Sequence, residues 1–379
     1  MTSPETAPDA LAGFTVGVTA TRRREEFCAL LERRGARVVS APAIRLVPLA
    51  EDGDLLAATR LSLKGPIDDV VITTGVGFRG WMAAAEGWGL SVDLADHLTR
   101  ARLLTRGPKA RGAVRAAGLN DHWTPATESC EEVKQYLLAQ NLHGRRIAVQ
   151  LHGEPLTGFV ASLREAGAEV IEVPVYRWLP YRDVSPLRRL ISQTISGGVD
   201  AVAFTSAPAV LAMLNAARAE GLEEALVTAF STRVVAACVG PVTAGPLLAR
   251  GVPAVQPERA RLGALARTLA RHLPEFSVTR LVAGGHGLEI RGHAVVVDGE
   301  LKPLPPAPMA VLKRLADRPG HVVARSELRM VLPGSPSRDS AEHAVEMAVT
   351  RLRRALGPSG IVETVVKRGY RLACTRDTP

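Results

Sequence analysis

Residues Asp339–Leu372 read DSAEHAVEMAVTRLRRALGPSGIVETVVKRGYRL, a helical pattern with many arginines followed by a short basic hairpin pattern. Val345, Val349, Leu352 and Leu356 recur at helical spacing and predict one buried apolar stripe. The arginines of this segment then lie on the other faces of the helix. The segment therefore predicts a basic helix that rests on an apolar core.

Both ends of this helix carry sequence signals. Asp339 and Glu342 have the spacing of a capping box, and Gly357 followed by proline predicts the end of the helix. A β-branched run from Ile361 to Val366 then leads through a cationic turn into a second short strand, which predicts a two-stranded hairpin.

This arrangement suits DNA recognition. Guanidinium groups on an exposed helix can reach guanine O6 and N7 in the major groove, or phosphate oxygens, while a cationic hairpin tip can reach the neighbouring backbone or minor groove. The alternative is an ordinary solvated basic face. On these grounds the candidate DNA-binding residues are Arg351, Arg353, Arg354, Lys367 and Arg368.

The segments upstream support the DNA-binding interpretation. Residues His293 to Leu304 predict a hairpin that turns at Asp298-Gly299, Pro308 to Gly320 predict a helix, and Val322 to Leu332 predict a second helix. With LADRPGHVVARSEL, VTRLRRALG and GYRL, this order resembles the winged-helix effector domain of OmpR/PhoB-class response regulators. The resemblance implies a recognition helix over residues 339–357, with Thr350, Arg351 and Arg353 at its DNA-facing positions. The sequence departs from that family in the wing, where Thr-Val-Val-Lys-Arg replaces the usual Thr-Val-Arg-Gly, so the cations are shifted.

Charge is distributed unevenly along the 379 residues. The formal net charge is +9, and residues 278–379 hold 16 Lys or Arg against 10 Asp or Glu. The positive excess therefore lies where the DNA-binding domain is predicted, which favours double-stranded DNA as a partner.

Other features bound the class of protein. The four cysteines, Cys28, Cys130, Cys238 and Cys374, are too scattered for a metal or redox motif and too few for a disulfide scaffold. No apolar run is long enough for a membrane span, and the polar N-terminus lacks the pattern of a signal peptide. A cytoplasmic protein without metal, cofactor or membrane partner is expected.

Residues 13–272 alternate apolar strand patterns with helical patterns, which is typical of a parallel α/β architecture. Segments of this region repeat at offsets of 132 or 133 residues, which predicts two related lobes. The matching pairs are Gly35–Arg45 with Gly167–Arg177, the segment from Thr73 with that from Thr205, and the segment from Arg106 with that from Val239.

Two proline-bearing strands, residues 41–49 and 173–181, occupy equivalent places in the repeats and predict a two-stranded crossover between the lobes. The predicted organisation is a disordered tail over residues 1–12, lobe 1 from residues 13–46 and 178–272, lobe 2 from residues 47–177, a linker over residues 273–287, and the winged helix over residues 288–375. A ligand is expected between the lobes.

The same region resembles uroporphyrinogen-III synthase, through VTATR from Val18, ITTGVG from Ile72, VPVYR from Val173, FTSAPAV from Phe204 and VGPVTA from Val239. The resemblance implies a cofactor-free enzyme that cyclises the linear tetrapyrrole hydroxymethylbilane and inverts its last ring. It also implies that Tyr176 assists the departing hydroxyl, although a half-buried structural tyrosine is equally consistent with the sequence.

Such a substrate carries many carboxylates, and helix N-termini attract anions through free N–H groups and the helix dipole. Small and hydroxyl residues where strands meet helices, with nearby cations, are therefore candidates for ligand binding; exposed salt bridges are an equal alternative for the arginines. The candidates are Thr21, Arg22, Thr74, Gly75, Lys109, Thr205, Ser206, Ala207, Gly240 and Thr243.

Two features qualify these assignments. The family's first G-x-x-T-A motif has Ala110 at its hydroxyl position, and only the second copy keeps the hydroxyl, at Thr243. Gly75–Gly80 satisfies the G-x-G-x-x-G pattern, but the next strand ends at Arg106 without the acidic residue of a dinucleotide site. The missing hydroxyl puts catalytic turnover in question, and the missing acidic residue disfavours dinucleotide binding.

The sequence leads to one hypothesis and two alternatives. The hypothesis is a transcriptional regulator whose synthase-like domain senses a tetrapyrrole or another anion and controls tetrapyrrole, sirohaem or nitrite assimilation genes. The first alternative is an active uroporphyrinogen-III synthase that carries a DNA-binding domain. The second is a scaffold that binds a protein partner. Tandem half-sites on DNA would suit a homodimer.

Overall fold

The computed structural model describes residues 9–48, 53–153, 156–332 and 338–374. The chain forms two compact units. One contains the residues up to Ile44 together with those from Pro180 onward, and the other is Arg45–Leu179. The second unit corresponds to lobe 2, and the first contains both lobe 1 and the winged helix.

Lobe 1 is built on a five-stranded parallel sheet whose three central strands are almost entirely buried, as is usual for parallel sheets covered by helices. Its first part comprises β1 (Thr15–Val18), α1 (Arg24–Glu32), β2 (Arg37–Ser40) and β3 (Ile44–Pro48), the last of which leaves the lobe. Its second part comprises α8 (Ser185–Ser196), β9 (Ala201–Phe204), α9 (Ala207–Ala219), α10 (Glu223–Thr232), β10 (Val235–Cys238), α11 (Pro241–Leu248), β11 (Ala254–Val255) and α12 (Leu262–Phe276).

Lobe 2 has a six-stranded sheet with the order β3-β8-β7-β4-β5-β6. Its elements are α2 (Gly53–Leu63), β4 (Asp69–Ile72), α3 (Gly75–Gly87), α4 (Ser91–Arg100), β5 (Arg102–Thr105), α5 (Pro108–Ala116), β6 (Asp121–Trp123), α6 (Cys130–Leu138), β7 (Arg146–Gly153), α7 (Thr157–Glu165) and β8 (Glu169–Pro180).

The strand orders confirm the predicted internal repeat. Lobe 1 has the order β2-β1-β9-β10-β11, and lobe 2 has β8-β7-β4-β5-β6 with β3 added beside β8. The matched strands are those that the sequence repeat pairs. The neighbouring strands β3 and β8 include most of the two predicted crossover segments, and the chain passes from one unit to the other within these strands.

The winged helix begins with a four-stranded antiparallel sheet and ends with the hairpin that forms the wing. Val345, Val349, Leu352 and Leu356 are all buried in its core, as the helical stripe predicts. Its elements are β12 (Thr279–Ala283), β13 (His286–Ile290), β14 (Ala294–Val297), β15 (Glu300–Pro303), α13 (Pro306–Ala316), α14 (Arg325–Met330), α15 (Arg338–Leu356), β16 (Val362–Val365) and β17 (Gly369–Leu372).

Three details differ from the sequence expectations. The helix predicted from Val322 begins only at Arg325, because Val323 forms a β-bridge with Tyr370 through backbone hydrogen bonds of 2.8 and 3.1 Å. Within the predicted linker, residues 273–287, α12 runs to Phe276 and β12 starts at Thr279. Residues 1–8 of the predicted tail lie outside the described residues, whereas Leu11 is fully buried in the core of lobe 1.

Membrane spans and clustered metal ligands are both absent from the described part of the chain. No helix there has the length and apolarity needed to cross a membrane. The same residues contain no group of three or more His, Cys, Asp or Glu side chains that could hold a metal ion.

Candidate functional site

The carboxyl edge of the lobe 2 sheet brings Thr74, Gln150 and Tyr176 together. Thr74 is the N-cap of α3, and its hydroxyl oxygen accepts a hydrogen bond from the Gly77 N–H at 3.2 Å. The fully buried Gln150 donates from Nε2 to Thr74 Oγ1 at 3.0 Å and to the Thr74 carbonyl at 3.2 Å. The Tyr176 hydroxyl lies 3.4 Å from Thr74 Oγ1. One threonine therefore joins a helix start, a buried amide and the candidate catalytic tyrosine.

Gln150 was not singled out from the sequence. Its side chain has a buried Oε1 without a hydrogen-bond partner among the described residues. A Cβ at position 77 would lie 2.1 Å from Gln150 Nε2, so only glycine leaves room for this amide. A polar residue in the middle of the apolar strand RIAVQLHG, from Arg146 to Gly153, is the signal that could have identified it.

Two helix N-termini lie side by side at this edge. A Cβ on Gly75 would approach the Lys109 carbonyl oxygen to 2.2 Å, so the glycine permits close packing of α3 against α5. The N-cap of α5 is Gly107, which provides no side-chain cap, and Pro108 at the first position of the helix has no N–H. The exposed side chain of Lys109 adds a positive charge to this helix start.

The hydroxyl position in which the two repeats differ faces the protein interior. Ala110 in α5 is 2% exposed, and Thr243 at the matching place in α11 is 5% exposed. Loss of the hydroxyl at residue 110 therefore removes no exposed polar group. The residues one position earlier in the two helices differ more in the side chain they expose. The cation Lys109 in α5 corresponds to the apolar Val242 in α11, which is 82% exposed.

Lobe 1 presents the equivalent helix starts. Ser206 and Gly240 are the N-caps of α9 and α11, and neither helix has a side-chain cap hydrogen bond. Thr205 and Ala207 flank Ser206 and are half-buried. The first amides of both helices are thus left without a side-chain acceptor, as an anion site requires.

The first βα connection of lobe 1 is partly occupied by internal contacts. The Thr21 hydroxyl donates to the Ile44 carbonyl oxygen, while Arg22 is exposed. Arg23 has a left-handed backbone, with φ of 52°, and pairs with Glu26. Of these residues, Arg22 is the cation available to an external anion.

A cavity of about 540 Å³ lies beside Tyr176 in lobe 2. Trp178 contributes to its lining and contacts Tyr176 edge to face, with ring centroids 5.6 Å apart. Arg177 and Asp54, which form a 2.6 Å ion pair, complete a mixed aromatic and charged lining. Its volume lies in the usual range for small-molecule sites.

The second candidate site is the exposed surface of α15 and the wing. Thr350, Arg351 and Arg354 are exposed on α15, and Lys367 and Arg368 are exposed at the wing tip. Lys367 adopts a left-handed conformation, with φ of 60°, in the turn between β16 and β17. These side chains form the cationic surface that DNA binding requires.

Arg353 differs from its neighbours although it is also exposed. Its guanidinium donates to the Val362 carbonyl oxygen at 3.0 Å and to Thr364 Oγ1 at 2.8 Å. It also lies 5.8 Å from the centroid of the Tyr370 ring. Arg353 therefore ties α15 to the wing.

Comparisons with known proteins agree with both halves of this description. The family model for uroporphyrinogen-III synthase HemD matches residues 25–267, and that for the C-terminal domain of transcriptional regulatory proteins matches residues 299–372. A mutant uroporphyrinogen III synthase from the extremely thermophilic bacterium Thermus thermophilus aligns with a TM-score of 0.57 and 34% identity, over 69% of this chain and 99% of that one.

Three relatives are similar in sequence. An uncharacterised Bacillus subtilis protein, YjjA, is 30% identical over 269 residues, which is 70% of this chain and 98% of the relative. A putative uroporphyrinogen-III synthase from Methanothermobacter thermautotrophicus is 27% identical over 67% of this chain and 96% of the relative. The Pseudomonas aeruginosa response regulator PmrA is 36% identical over 109 residues, which is 29% of this chain and 48% of the relative.

The predicted α/β fold and both predicted resemblances are thereby confirmed. The synthase-family match contains Thr74, Gln150 and Tyr176, and the regulator match contains α15 and the wing. The chain belongs to the uroporphyrinogen-III synthase HemD family and carries, after its synthase-like lobes, a winged-helix DNA-binding domain of the OmpR/PhoB type.

Proposed function

We propose that this protein is a transcriptional regulator whose synthase-like lobes bind a linear tetrapyrrole or a similar polycarboxylate, and whose DNA affinity depends on that ligand. The observation that carries the ligand proposal is the group of Thr74, Gln150 and Tyr176 at the start of α3. It combines a buried polar network with a helix N-terminus, in a lobe that also holds an aromatic-lined cavity.

The chemistry of the lobes matches that of such a ligand. Each helix start contributes a partial positive charge, worth about 0.3–1 kcal/mol for one anion at an exposed site. Several weak anion contacts suit a molecule with many carboxylates better than one with a single charge. The exposed Val242 at the start of α11 and the rings of Tyr176 and Trp178 offer apolar contacts for pyrrole rings.

The DNA-facing half of the proposal rests on the charge of α15 and the wing. We expect Arg351 and Arg354 to contact bases or phosphates from the recognition helix, with Lys367 and Arg368 contacting the backbone beside it. Ligand-dependent regulation then requires the ligand to prefer one of two arrangements of the protein that differ in DNA affinity. Genes for tetrapyrrole, sirohaem or nitrite assimilation are the proposed targets, and a homodimer on tandem half-sites is the proposed assembly.

Two measurements on the full chain test this function. Fragments recovered by genome-wide binding identify the operator and show whether the proposed genes are among the targets. The affinity for the operator is then measured at fixed salt, with and without hydroxymethylbilane or uroporphyrinogen III. An affinity that neither tetrapyrrole changes refutes ligand control, and a binding map without the proposed genes refutes the proposed targets.

An active synthase is the second candidate, because the sequence resemblance to the synthase family matches Tyr176 to the family tyrosine, and the Tyr176 hydroxyl lies beside a buried polar network. Freshly prepared hydroxymethylbilane is supplied to the purified protein, and the type III and type I porphyrins are separated after oxidation. An excess of type III product means that the protein is also an enzyme. Type I product alone, which forms spontaneously, means that the lobes bind without turnover. If type III product is in excess, the matched variant Tyr176→Phe tests whether the tyrosine hydroxyl contributes to its formation.

A further inference from the structure

The DNA-binding domain is joined to lobe 1 by a very short connection. Helix α12 ends at Phe276 and β12 begins at Thr279, so only Ser277 and Val278 lie between them. The three Cα–Cα steps from Phe276 to Thr279 span at most about 11 Å when fully extended. The first sheet of the winged helix is therefore held close to lobe 1 whatever its orientation.

Direct hydrogen bonds link the two domains. The His293 N–H donates to the Gly13 carbonyl oxygen at 2.8 Å, and Arg291 donates from Nη1 to the Ala12 carbonyl oxygen at 2.8 Å. The guanidinium of Arg291 also lies 5.7 Å from the centroid of the Phe14 ring. Ala12 and Phe14 are buried, so these contacts cover the backbone at the start of lobe 1.

The contact is too close to admit a side chain at its centre. A Cβ on Gly292 would lie 1.9 Å from Asp200 Oδ2, and the same oxygen accepts a hydrogen bond from the Thr15 N–H at 2.7 Å. The Thr15 hydroxyl lies 3.2 Å from His293 Nδ1. Backbone, hydroxyl, carboxylate and imidazole groups of the two domains therefore pack closely against one another. A flexibly tethered domain would not need such close packing.

This contact lies at one particular edge of the lobe 1 sheet. Thr15 is the first residue of β1, and Asp200 directly precedes β9, so both lie at the amino edge of the sheet. The candidate anion-binding residues Thr21 and Ser206 follow the carboxyl ends of the same two strands. At about 3.3 Å per residue, these four-residue strands separate the two edges by about 10–13 Å.

We infer that the DNA-binding domain is docked on lobe 1 through an interface centred on Gly292 and Asp200. We also infer that β1 and β9 couple this interface to ligand binding at the carboxyl edge of the sheet, where Thr21 and Ser206 lie. The docking stands on the contacts alone. The connection to the ligand rests on the proposed function. Because ligand and DNA-binding domain use opposite edges of one sheet, neither obstructs the other.

Hydrogen exchange on the full-length protein tests the docking, with Gly292→Val as the disrupting variant. Gly287→Ala is the matched control, because a Cβ there meets only Asp298 Oδ1 at an ordinary 3.7 Å. We expect the His293 and Thr15 amides to exchange at least about tenfold faster in Gly292→Val, with no change in Gly287→Ala. Wild-type amides that exchange as fast as those in Gly292→Val would overturn the docking.

A second variant covers the case in which Gly292→Val does not fold. Arg291→Met keeps an apolar stem near Phe14 but removes the hydrogen bond to the Ala12 carbonyl, and we expect it to raise exchange at His293 by a smaller factor. Unchanged exchange at His293 in this variant would contradict the docking.

The connection is tested separately, by measuring operator affinity and its response to hydroxymethylbilane in the same variants. If the wild type responds, Gly292→Val should bind DNA and tetrapyrrole but lose the response; a response equal to that of the wild type would overturn the connection. If the wild type itself does not respond, the proposed ligand control and the connection fail together, while the exchange measurements still decide the docking.

Discussion

Arg353 Nη2 lies 2.8 Å from Thr364 Oγ1, and this hydrogen bond joins the last turn of α15 to the first strand of the wing. Arg353 also donates a hydrogen bond to the Val362 carbonyl oxygen, so two hydrogen bonds hold α15 against the wing. Arg351, two residues earlier, is exposed and makes no ion pair with the described residues. Neighbouring arginines of one basic run therefore have different expected roles.

The first prediction concerns Arg351. Arg351→Ala should weaken operator binding without changing the melting temperature, because the exposed side chain makes no ion pair within the described part of the domain. If the guanidinium neutralises one phosphate, the slope of log affinity against log salt should become shallower by about 0.9. Fluorescence anisotropy over a salt series measures both quantities. An affinity equal to that of the wild type would remove Arg351 from the DNA interface.

The second prediction concerns Arg353. Arg353→Ala should lower the stability of the winged helix by about 1 kcal/mol, because two hydrogen bonds are lost at a solvent-exposed site. DNA affinity should fall as well, since the wing is no longer held against α15. Arg353→Lys should not restore stability, because a single ammonium group cannot reproduce the fork-like contact. Denaturant unfolding of Arg353→Ala beside Arg351→Ala separates the two roles, and equal stabilities would contradict this assignment.

The third prediction uses two glycines of α3. Gly75→Ala should destabilise lobe 2 by roughly 1–3 kcal/mol, the usual cost of overpacking, because the new methyl group meets the Lys109 carbonyl oxygen at 2.2 Å. Gly80→Ala is the matched control, since no atom lies within 4 Å of its added Cβ. That substitution should stabilise the helix by up to about 1 kcal/mol. Thermal unfolding that ranks the two variants in the reverse order would refute the packing argument.

The fourth prediction concerns Thr74. Thr74→Val should cost about 1 kcal/mol of stability through the lost N-cap, and it should also weaken tetrapyrrole binding. Thr74→Ser retains the hydroxyl that the Gly77 N–H and Gln150 Nε2 contact, so it should keep most of both properties. Calorimetric titration with uroporphyrinogen III distinguishes the variants. Wild-type affinity in a folded Thr74→Val protein would place the ligand elsewhere.

The internal repeat of the two lobes and the apolar stripe of α15 could be predicted from the sequence because both rest on regular periodicities. Short buried strands repeat at a fixed offset in the two lobes, and Val345, Val349, Leu352 and Leu356 share one helical face. Local sequence also determines the turn at Asp298-Gly299, where both residues have positive φ, as the hairpin pattern requires.

Contacts between distant segments could not be predicted in the same way. Gln150 reaches Thr74 across 76 positions, and Arg291 meets Ala12 across 279 positions. Nothing in the local pattern of VVARSEL indicated that Val323 would pair with Tyr370 and delay the start of α14. The different roles of Arg351 and Arg353 likewise depend on where the wing folds back, which composition and spacing do not specify.

The fifth prediction is that acid loosens the docking of the DNA-binding domain on lobe 1. Burial, Arg37 and Lys313 all lower the pKa of His293 below its ordinary value of 6.5, so the docked state favours neutral imidazole. Below pH 6.5 the undocked domain therefore binds more protons at His293 than the docked domain does. The stability that His293 contributes to docking is lost as the pH falls below 6.5. Asp200, the carboxylate of this interface, acts in the opposite sense, because burial raises its pKa.

Hydrogen exchange at the His293 and Thr15 amides, corrected for intrinsic rates, should show this loss between about pH 7.5 and about pH 5.5. His293→Gln is the matched variant, because it retains a polar side chain but does not titrate. It should remove the acid-dependent step while leaving Asp200 and His272 in place; the pKa of His272 is also lowered by burial. An acid step of unchanged size in His293→Gln would assign the effect to one of those groups and exclude His293 as the titrating residue of the docking interface.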